Sequence, residues 1–195
     1  MKYRTILLFG APGAGKGTQG KILGSIPNFF HCACGDVFRS LAPSSPLGRI
    51  FIKYTSRGEL VPDKPTVELW RTFINNSEHS GRFHPKTDVL VLDGIPRNRN
   101  QAEMLSDTLD VRGVFYLHCT NFDSMVERLQ KRALKENRLD DANLEVIRHR
   151  LKVYDQETKP VLSFYGRKLV HRIDSTHSPL HVLRKIVDHV DKVIG

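Results

Sequence analysis

Three groups of residues in this 195-residue chain have types and spacings that could do chemistry. The first is Gly10-Ala11-Pro12-Gly13-Ala14-Gly15-Lys16-Gly17-Thr18. Glycines at this density let the backbone curl into a nest whose N–H groups point at one anion. A helix beginning there adds its positive N-terminal end, and Lys16 supplies a point charge for outer phosphates. The second group is Asp93-Gly94-Ile95-Pro96-Arg97 with Gln101. A carboxylate at Asp93 can accept from waters around Mg²⁺, and the planar fork of Arg97 can hold two phosphate oxygens at once. The third group is Arg128, Arg132, Arg138 and Arg150. Arg128 and Arg132, four apart, share one helix face. Any one of these arginines alone would read as a solvated surface charge. The first two groups point to polyphosphate chemistry, in which the protein positions oxygens and neutralises charge.

The composition agrees. Thirty Lys and Arg stand against 21 Asp and Glu, a formal charge of +9, so polyanions are the natural partners. The arginines are scattered as singles, several of them beside Gly or Pro, with no basic tail, which suits convergent phosphate binding better than a nucleic-acid stripe. The longest apolar runs, such as Ile6–Phe9 and Val89–Leu92, are far shorter than the ~18 residues a membrane span needs. The apolar run before Gly10 is only the four residues Ile6–Phe9, so no secretory signal is expected. Cys32, Cys34 and Cys119 make neither a disulfide framework nor finger-like metal spacing. They read as small buried hydrophobes in a reducing cytoplasm.

These residues need a scaffold that brings them to one edge. Apolar runs at 5–9, 29–33, 88–92, 113–119 and 169–173 predict five strands. Helical patterns at 17–23, 64–73, 100–109, 123–134, 144–164 and 179–194 alternate with them. That alternation predicts an α/β fold: a parallel five-stranded sheet with helices on both faces. The long helical stretch after the second strand reads as an inserted lobe. Asp36, in Gly35-Asp36-Val37-Phe38-Arg39, is placed to cap a helix, with Arg39 one turn on. No repeat or linker divides the chain.

The glycine loop misses the generic phosphate-loop pattern by one residue, because Gly17 follows the lysine and the hydroxyl moves to Thr18. In this form, Gly-x-Pro-Gly-x-Gly-Lys-Gly-Thr-Gln, it resembles the loop of the nucleoside monophosphate kinases, their adenylate kinases above all. Four further segments match the family in order: Gly35–Arg39, Gly58-Glu59-Leu60-Val61-Pro62, Asp93–Arg97 with Gln101, and Arg138-Leu139-Asp140-Asp141 followed by Arg150. The resemblance implies a P-loop kinase with core segments 1–33, 74–130 and 144–195. It also implies an inserted monophosphate-binding lobe at about 34–73 and a short lid at about 131–143, without the longer zinc-type insertion. It implies Mg²⁺, held by Asp93 through water and carried with ATP, and no zinc. ATP would meet Gly13, Ala14, Gly15, Lys16, Gly17, Thr18, Arg128, Arg132 and the backbone of His177. AMP would meet Cys34, Arg39, Glu59, Leu60, Val61, Gly94, Ile95, Pro96, Arg97, Gln101, Arg138 and Arg150. Lys16, Arg97, Arg132, Arg138 and Arg150 would be the catalytic set. Arg138 to Arg150 is one residue longer than the family spacing, so Arg148 competes with Arg150.

The implied reaction is reversible transfer of the γ-phosphoryl of ATP to AMP, giving two ADP, by a cytoplasmic monomer. Lobe and lid would close over the nucleotides. Two departures bear on the acceptor. Cys34 stands where the adenylate kinases carry Thr and the uridylate/cytidylate kinases Ala, and Ile95 replaces an aromatic. Gln101, which reads the base edge in the adenylate kinases, favours AMP over a UMP or CMP acceptor. A nucleotide-dependent nucleic-acid-binding module is the rival from another class; it would predict steeply salt-dependent binding.

Overall fold

The computed structural model describes residues 2–136 and 138–194. Residues 1, 137 and 195, which fall in the predicted core and lid segments, and the side chain of Leu139 lie outside the described residues. The five apolar runs form β1 (Tyr3–Gly10), β2 (Phe29–Ala33), β3 (Val89–Asp93), β4 (Leu109–His118) and β5 (Val170–Asp174). All pair in parallel, in the order β2-β3-β1-β4-β5. The central strands β1 and β3 and the later half of β4 are apolar on both sides because both faces of the sheet are covered there. Leu7 and Phe9 of β1, Leu90 and Leu92 of β3, and Val114 and Tyr116 of β4 face one core. The alternate residues Ile6, Leu8, Val89, Val91, Phe115 and Leu117 face the other.

Two helices cover the second core. These are α1 (Lys16–Leu23), through Leu23, and α9 (Pro179–Ile194), through Val182, Ile186 and Val190 at helical spacing. The first core is covered by α4 (Asp63–His79) through Val67, Trp70 and Ile74, with α5 (Arg99–Leu105), α6 (Phe122–Glu136), α7 (Leu144–Val153) and α8 (Val161–Tyr165) beside it. Two short helices, α2 (Cys34–Arg39) and α3 (Pro46–Thr55), fill the stretch between β2 and α4. No helix among the described residues is long and apolar enough to cross a membrane.

Three details differ from expectation. First, β4 begins at Leu109, four residues before the predicted start. Its register against β1 slips between Thr5 and Ile6, so Arg112 is skipped and the alternation is broken there. Second, the helix expected over 144–164 is interrupted by one wide turn at Tyr154–Thr158, where the Lys159 N–H reaches back five residues to the Tyr154 carbonyl at 2.9 Å. Pro160 follows, lacks a donor and crowds the preceding turn, which accounts for the break. Third, Asp36 is no cap. Ala33 holds the N-cap position of α2, and Asp36 lies inside the first turn with its carboxylate on Arg39 Nη2 at 2.5 Å.

The strand order sets the site. The chain moves outward from β1 to β2 and later crosses to β4, so the crevice at the carboxyl ends of β1 and β3 is the topological switch point. Both the glycine loop and Asp93 open there, with Leu8 opposite Asp93 in the register. The loop's helix, α1, can lie close to the sheet because His31 of β2 fits against two glycines. A methyl at Gly20 would come 2.2 Å from His31 Nε2, and one at Gly24 would come 2.5 Å from His31 Cβ. Gly20→Ala and Gly24→Ala are therefore each expected to cost about 1–3 kcal/mol by overpacking, read from urea denaturation midpoints. His31→Ala should relieve Gly20→Ala, whose clash is with the ring. It should not relieve Gly24→Ala, whose clash is with a Cβ that alanine keeps; equal rescue of both would disprove this packing account.

Candidate active site

The loop between β1 and α1 has the backbone its sequence requires. Gly13 and Gly15 have φ of 82° and 95°, in the left-handed region that glycine enters freely. A side chain at Gly13 would press to 2.9 Å from the Met125 carbonyl of α6, whereas the space beside Gly15 is open. Lys16 opens α1, and its Nζ folds back to donate to the carbonyls of Gly10 (2.8 Å) and Ala11 (3.2 Å). Burial pushes the Lys16 amine down to about 8; Arg97, Arg132 and Arg150 add to the drop, and Asp93 opposes it.

The loop forms one wall of a cavity of about 460 Å³. From the loop, Gly13, Gly15, Lys16, Gly17 and Thr18 line it. From the strand ends come Asp93, Gly94, Pro96 and Arg97, and from the lobe Arg39, Glu59 and Leu60. Across from them stand Arg128 and Arg132 of α6, Arg138, and Arg150 of α7. Arg150 lines the cavity, whereas Arg148 is exposed on α7 and is not among its lining residues.

Six of the expected site residues are not in the cavity wall. Ala14, Cys34, Val61 and Ile95 are buried as apolar side chains, so only their backbone could serve a ligand. Gln101 is also buried, and its amide is engaged inside the protein: Oε1 accepts the Arg97 N–H at 2.8 Å, and Nε2 donates to Asp63 at 2.8 Å. The His177 ring packs at a tilt against that of His181, with its Nε2 3.8 Å from Asp174.

Four arginines at one site repel, and two carboxylates of the short helical turn Leu139–Asp141 hold three of them. Asp141, with a fully buried side chain, accepts from Arg132 Nε at 2.7 Å, pairs with Arg138 Nε at 3.4 Å and bonds to Arg150 Nη1. Asp140 pairs with Arg138 at 3.2 Å and Arg150 at 2.9 Å. Burial works against charge on Arg138, but Asp140, Asp141 and Glu136 outweigh it and raise the guanidinium above its usual value. Burial lowers Arg132 and Arg150. On the opposite wall Arg39 is held by Asp36. Arg128 donates to the Ser175 carbonyl at 3.1 Å, which ties α6 to the loop after β5. Ten Lys and Arg against five Asp and Glu in one cavity make an anion site. Donors approaching from several elements suit a ligand with several phosphates.

The sequence profile of the adenylate kinase family matches residues 8–170. The chain belongs to the adenylate kinase family. It is 37% identical over 193 residues to an adenylate kinase of Kocuria rhizophila, covering 96% of this chain and 98% of that one. An adenylate kinase of Thermobifida fusca is 38% identical over 176 residues, 87% of this chain and 89% of its own. One of a Cyanothece species is 35% identical over 196 residues, 97% and 96% respectively.

Several lining residues of this family member were not singled out by motif reading. Lys21 on α1, and Lys131 and Lys135 on α6, add to the positive field; Phe51, Thr55, Tyr154 and Thr158 give the cavity an apolar and hydroxylated side. The α6 lysines flank Arg132 at helical spacing, a signal present in the sequence. Tyr154 and Thr158 reach the cavity from the wide turn, which no periodicity announces. Removing the buried carboxylate leaves three guanidinium groups facing one another without their partner, so Asp141→Ala is expected to cost about 3–5 kcal/mol in a denaturation experiment. A loss below about 1 kcal/mol would show the cluster to be no stronger than a surface ion pair.

Proposed function

We propose that this chain catalyses ATP + AMP = 2 ADP, with Mg²⁺ accompanying the triphosphate. The observation that carries the reading is the cavity: a glycine-nest loop with its lysine on one wall, arginines from two other elements opposite, and an acceptor loop between. An α-phosphate oxygen of AMP attacks the γ-phosphorus of ATP; that O–P bond forms as the bond from the γ-phosphorus to the bridging oxygen breaks, and ADP leaves from each side. The attacking oxygen is already anionic, so no general base is required.

The residues divide the work as their positions suggest. The N–H groups of Gly13 to Thr18 and the amine of Lys16 bind the donor phosphates, with Arg128 reaching from α6. Arg39 and Arg97 bind the acceptor phosphate, and Glu59, Leu60, Gly94 and Pro96 line its nucleoside side. Arg132, Arg138 and Arg150 surround the transferring group, where they neutralise charge that grows in the transition state. In this reading the phosphates take over the arginines from Asp140 and Asp141, and the lobe (about 34–73) and lid (about 131–143) close on the core (1–33, 74–130 and 144–195) to exclude water. Among the described residues no three His, Cys, Asp or Glu side chains gather as a metal-ligand set. Asp93 faces the loop, its Oδ2 3.7 Å from where a Cβ at Gly17 would sit. That suits Mg²⁺ held through water by Asp93, with Thr18 nearby and phosphate oxygens as its main ligands. Held there, the ion would neutralise part of the phosphate charge.

The acceptor base decides between the adenylate and uridylate/cytidylate readings. Turnover of AMP, UMP and CMP side by side is the test: AMP should be preferred, and preference for UMP or CMP would overturn the assignment. Lys16 supplies a second expectation. Its charged form is needed and is lost as pH rises through about 8, so kcat/KM for ATP should fall with a midpoint near 8. Lys16→Ala should lose several kcal/mol of transition-state stabilisation at every pH. The residual activity of Lys16→Arg, whose guanidinium stays charged, should lack the alkaline fall. A flat wild-type profile from pH 7 to 9 would show that the amine stays charged through this range, and activity of Lys16→Ala near the wild-type level would remove Lys16 from the catalytic set.

A further inference from the structure

Behind the acceptor loop lies a polar cluster whose geometry exceeds what phosphate binding asks. Asp63, in the first turn of α4, receives three side-chain amides. Asn98 Nδ2 (2.7 Å) and Gln101 Nε2 (2.8 Å) donate to its Oδ1, and Asn100 Nδ2 (2.7 Å) donates to its Oδ2. On the other side of Gln101, Oε1 accepts the backbone N–H of Arg97 at 2.8 Å. The orientation of a glutamine amide is ordinarily ambiguous, because oxygen and nitrogen are alike in shape. Here the neighbours remove the ambiguity. A backbone N–H can only donate and a carboxylate can only accept. Turning the amide over would set oxygen against carboxylate and NH₂ against N–H, exchanging two hydrogen bonds for two repulsions. Asn98 is fixed the same way, with Oδ1 accepting the Gln101 N–H at 2.8 Å while its Nδ2 is on Asp63. Burial would raise the Asp63 carboxyl, but the three amides outweigh it and hold it below the usual carboxylate range, so it remains an acceptor at neutral pH.

We propose that Asp63 is a specificity-determining positioning residue, which locks the Gln101 amide so that the acceptor site takes a 6-aminopurine and refuses a 6-oxopurine. The inference rests on the reading of Gln101 as the residue that meets the acceptor base. A 6-aminopurine offers a donor at its exocyclic nitrogen and an acceptor at N1. A 6-oxopurine offers the reverse, an acceptor at O6 and a donor at N1. A freely turning amide would satisfy either ring. One of fixed orientation satisfies one ring and sets like against like on the other, and a buried site left with mismatched polar groups discriminates strongly. After its two internal bonds, Gln101 still has one N–H and one lone pair of Oε1, which are the groups a base edge needs. The lock ties α4 to the acceptor loop, so it also fixes the Arg97 backbone.

Steady-state kinetics with AMP and IMP as alternative acceptors test this in the wild type, Asp63→Asn, Asp63→Ser and Gln101→Ala. The asparagine variant can keep its Oδ1 on Asn98 and Gln101 and turn only the exposed Asn100, whereas the shorter serine variant withdraws the acceptor from Gln101. The expected result is a fall of about tenfold or more in the AMP-to-IMP ratio of kcat/KM in Asp63→Ser and a ratio largely kept in Asp63→Asn, with KM for AMP raised in the serine variant and KM for ATP unchanged. A merely structural role would lower both acceptors together and leave the ratio alone. An unchanged ratio in folded Asp63→Ser, when Gln101→Ala has lost it, overturns the lock, and so does a loss in Asp63→Asn as large as in Asp63→Ser. An unchanged ratio in Gln101→Ala overturns the placement of Gln101 at the base, and the proposal with it.

Discussion

The constraint on which this structure depends is the gathering of like charge. Ten cationic side chains line one cavity, and three of the arginines meet at a single fully buried carboxylate, Asp141. Such a cluster is unstable without anions, so the protein carries its own stand-ins. Asp140 and Asp141 occupy the lid-side arginines, Asp36 occupies Arg39, and the carbonyls of Gly10 and Ala11 take the Lys16 amine. Each stand-in holds its cation in a defined place. In the proposed reading a bound polyphosphate would compete with carboxylates already present, and binding would be an exchange of partners rather than the capture of free charges. That exchange would limit the affinity gained and favour release of product, which a reversible transfer needs.

Everything else serves to bring those groups within reach. The parallel sheet places the β1 and β3 ends side by side at the switch point, and the loop's glycines allow the approach of α6 at the Met125 carbonyl. Two glycines on α1 let the helix settle over His31, which sets the direction in which its N-terminal end points. The interrupted helix after α7 lets one segment supply Arg150, Tyr154 and Thr158 to the same cavity. Wide turns of this type recur at functional sites, and here Pro160 makes one unavoidable.

Legibility in the sequence followed the range of the interactions. The loop 10–18 was readable because nest, helix start and lysine lie within nine consecutive residues, and β2 was readable to the residue because no bulge disturbs it. β4 was shortened in the reading because a register slip at Arg112 breaks the alternation. The convergence of Arg97, Arg132, Arg138 and Arg150 could not be derived from any local pattern, since Arg97 and Arg150 sit on separate elements far apart in the chain. Family resemblance supplied it. The competition between Arg148 and Arg150 needed the helix itself, because a one-residue change of spacing is resolved only by which face of α7 meets the cavity. Gln101 was the least legible. Its amide is governed by Asp63, 38 residues earlier, and by the Arg97 backbone, and neither relation leaves a periodicity.

The excess of positive charge now has a partial physical account. The cavity holds a surplus of five Lys and Arg over Asp and Glu, more than half of the formal +9 of the chain. The same surplus explains why acceptor discrimination must come from neutral groups. Every nucleoside monophosphate carries the same phosphate, so arginines bind all of them alike and supply affinity without choice. Choice requires groups whose donors and acceptors differ along the base edge, and such groups select only when they cannot turn. A charged residue is then most useful one layer back, where Asp63 touches no phosphate and orients three amides at once.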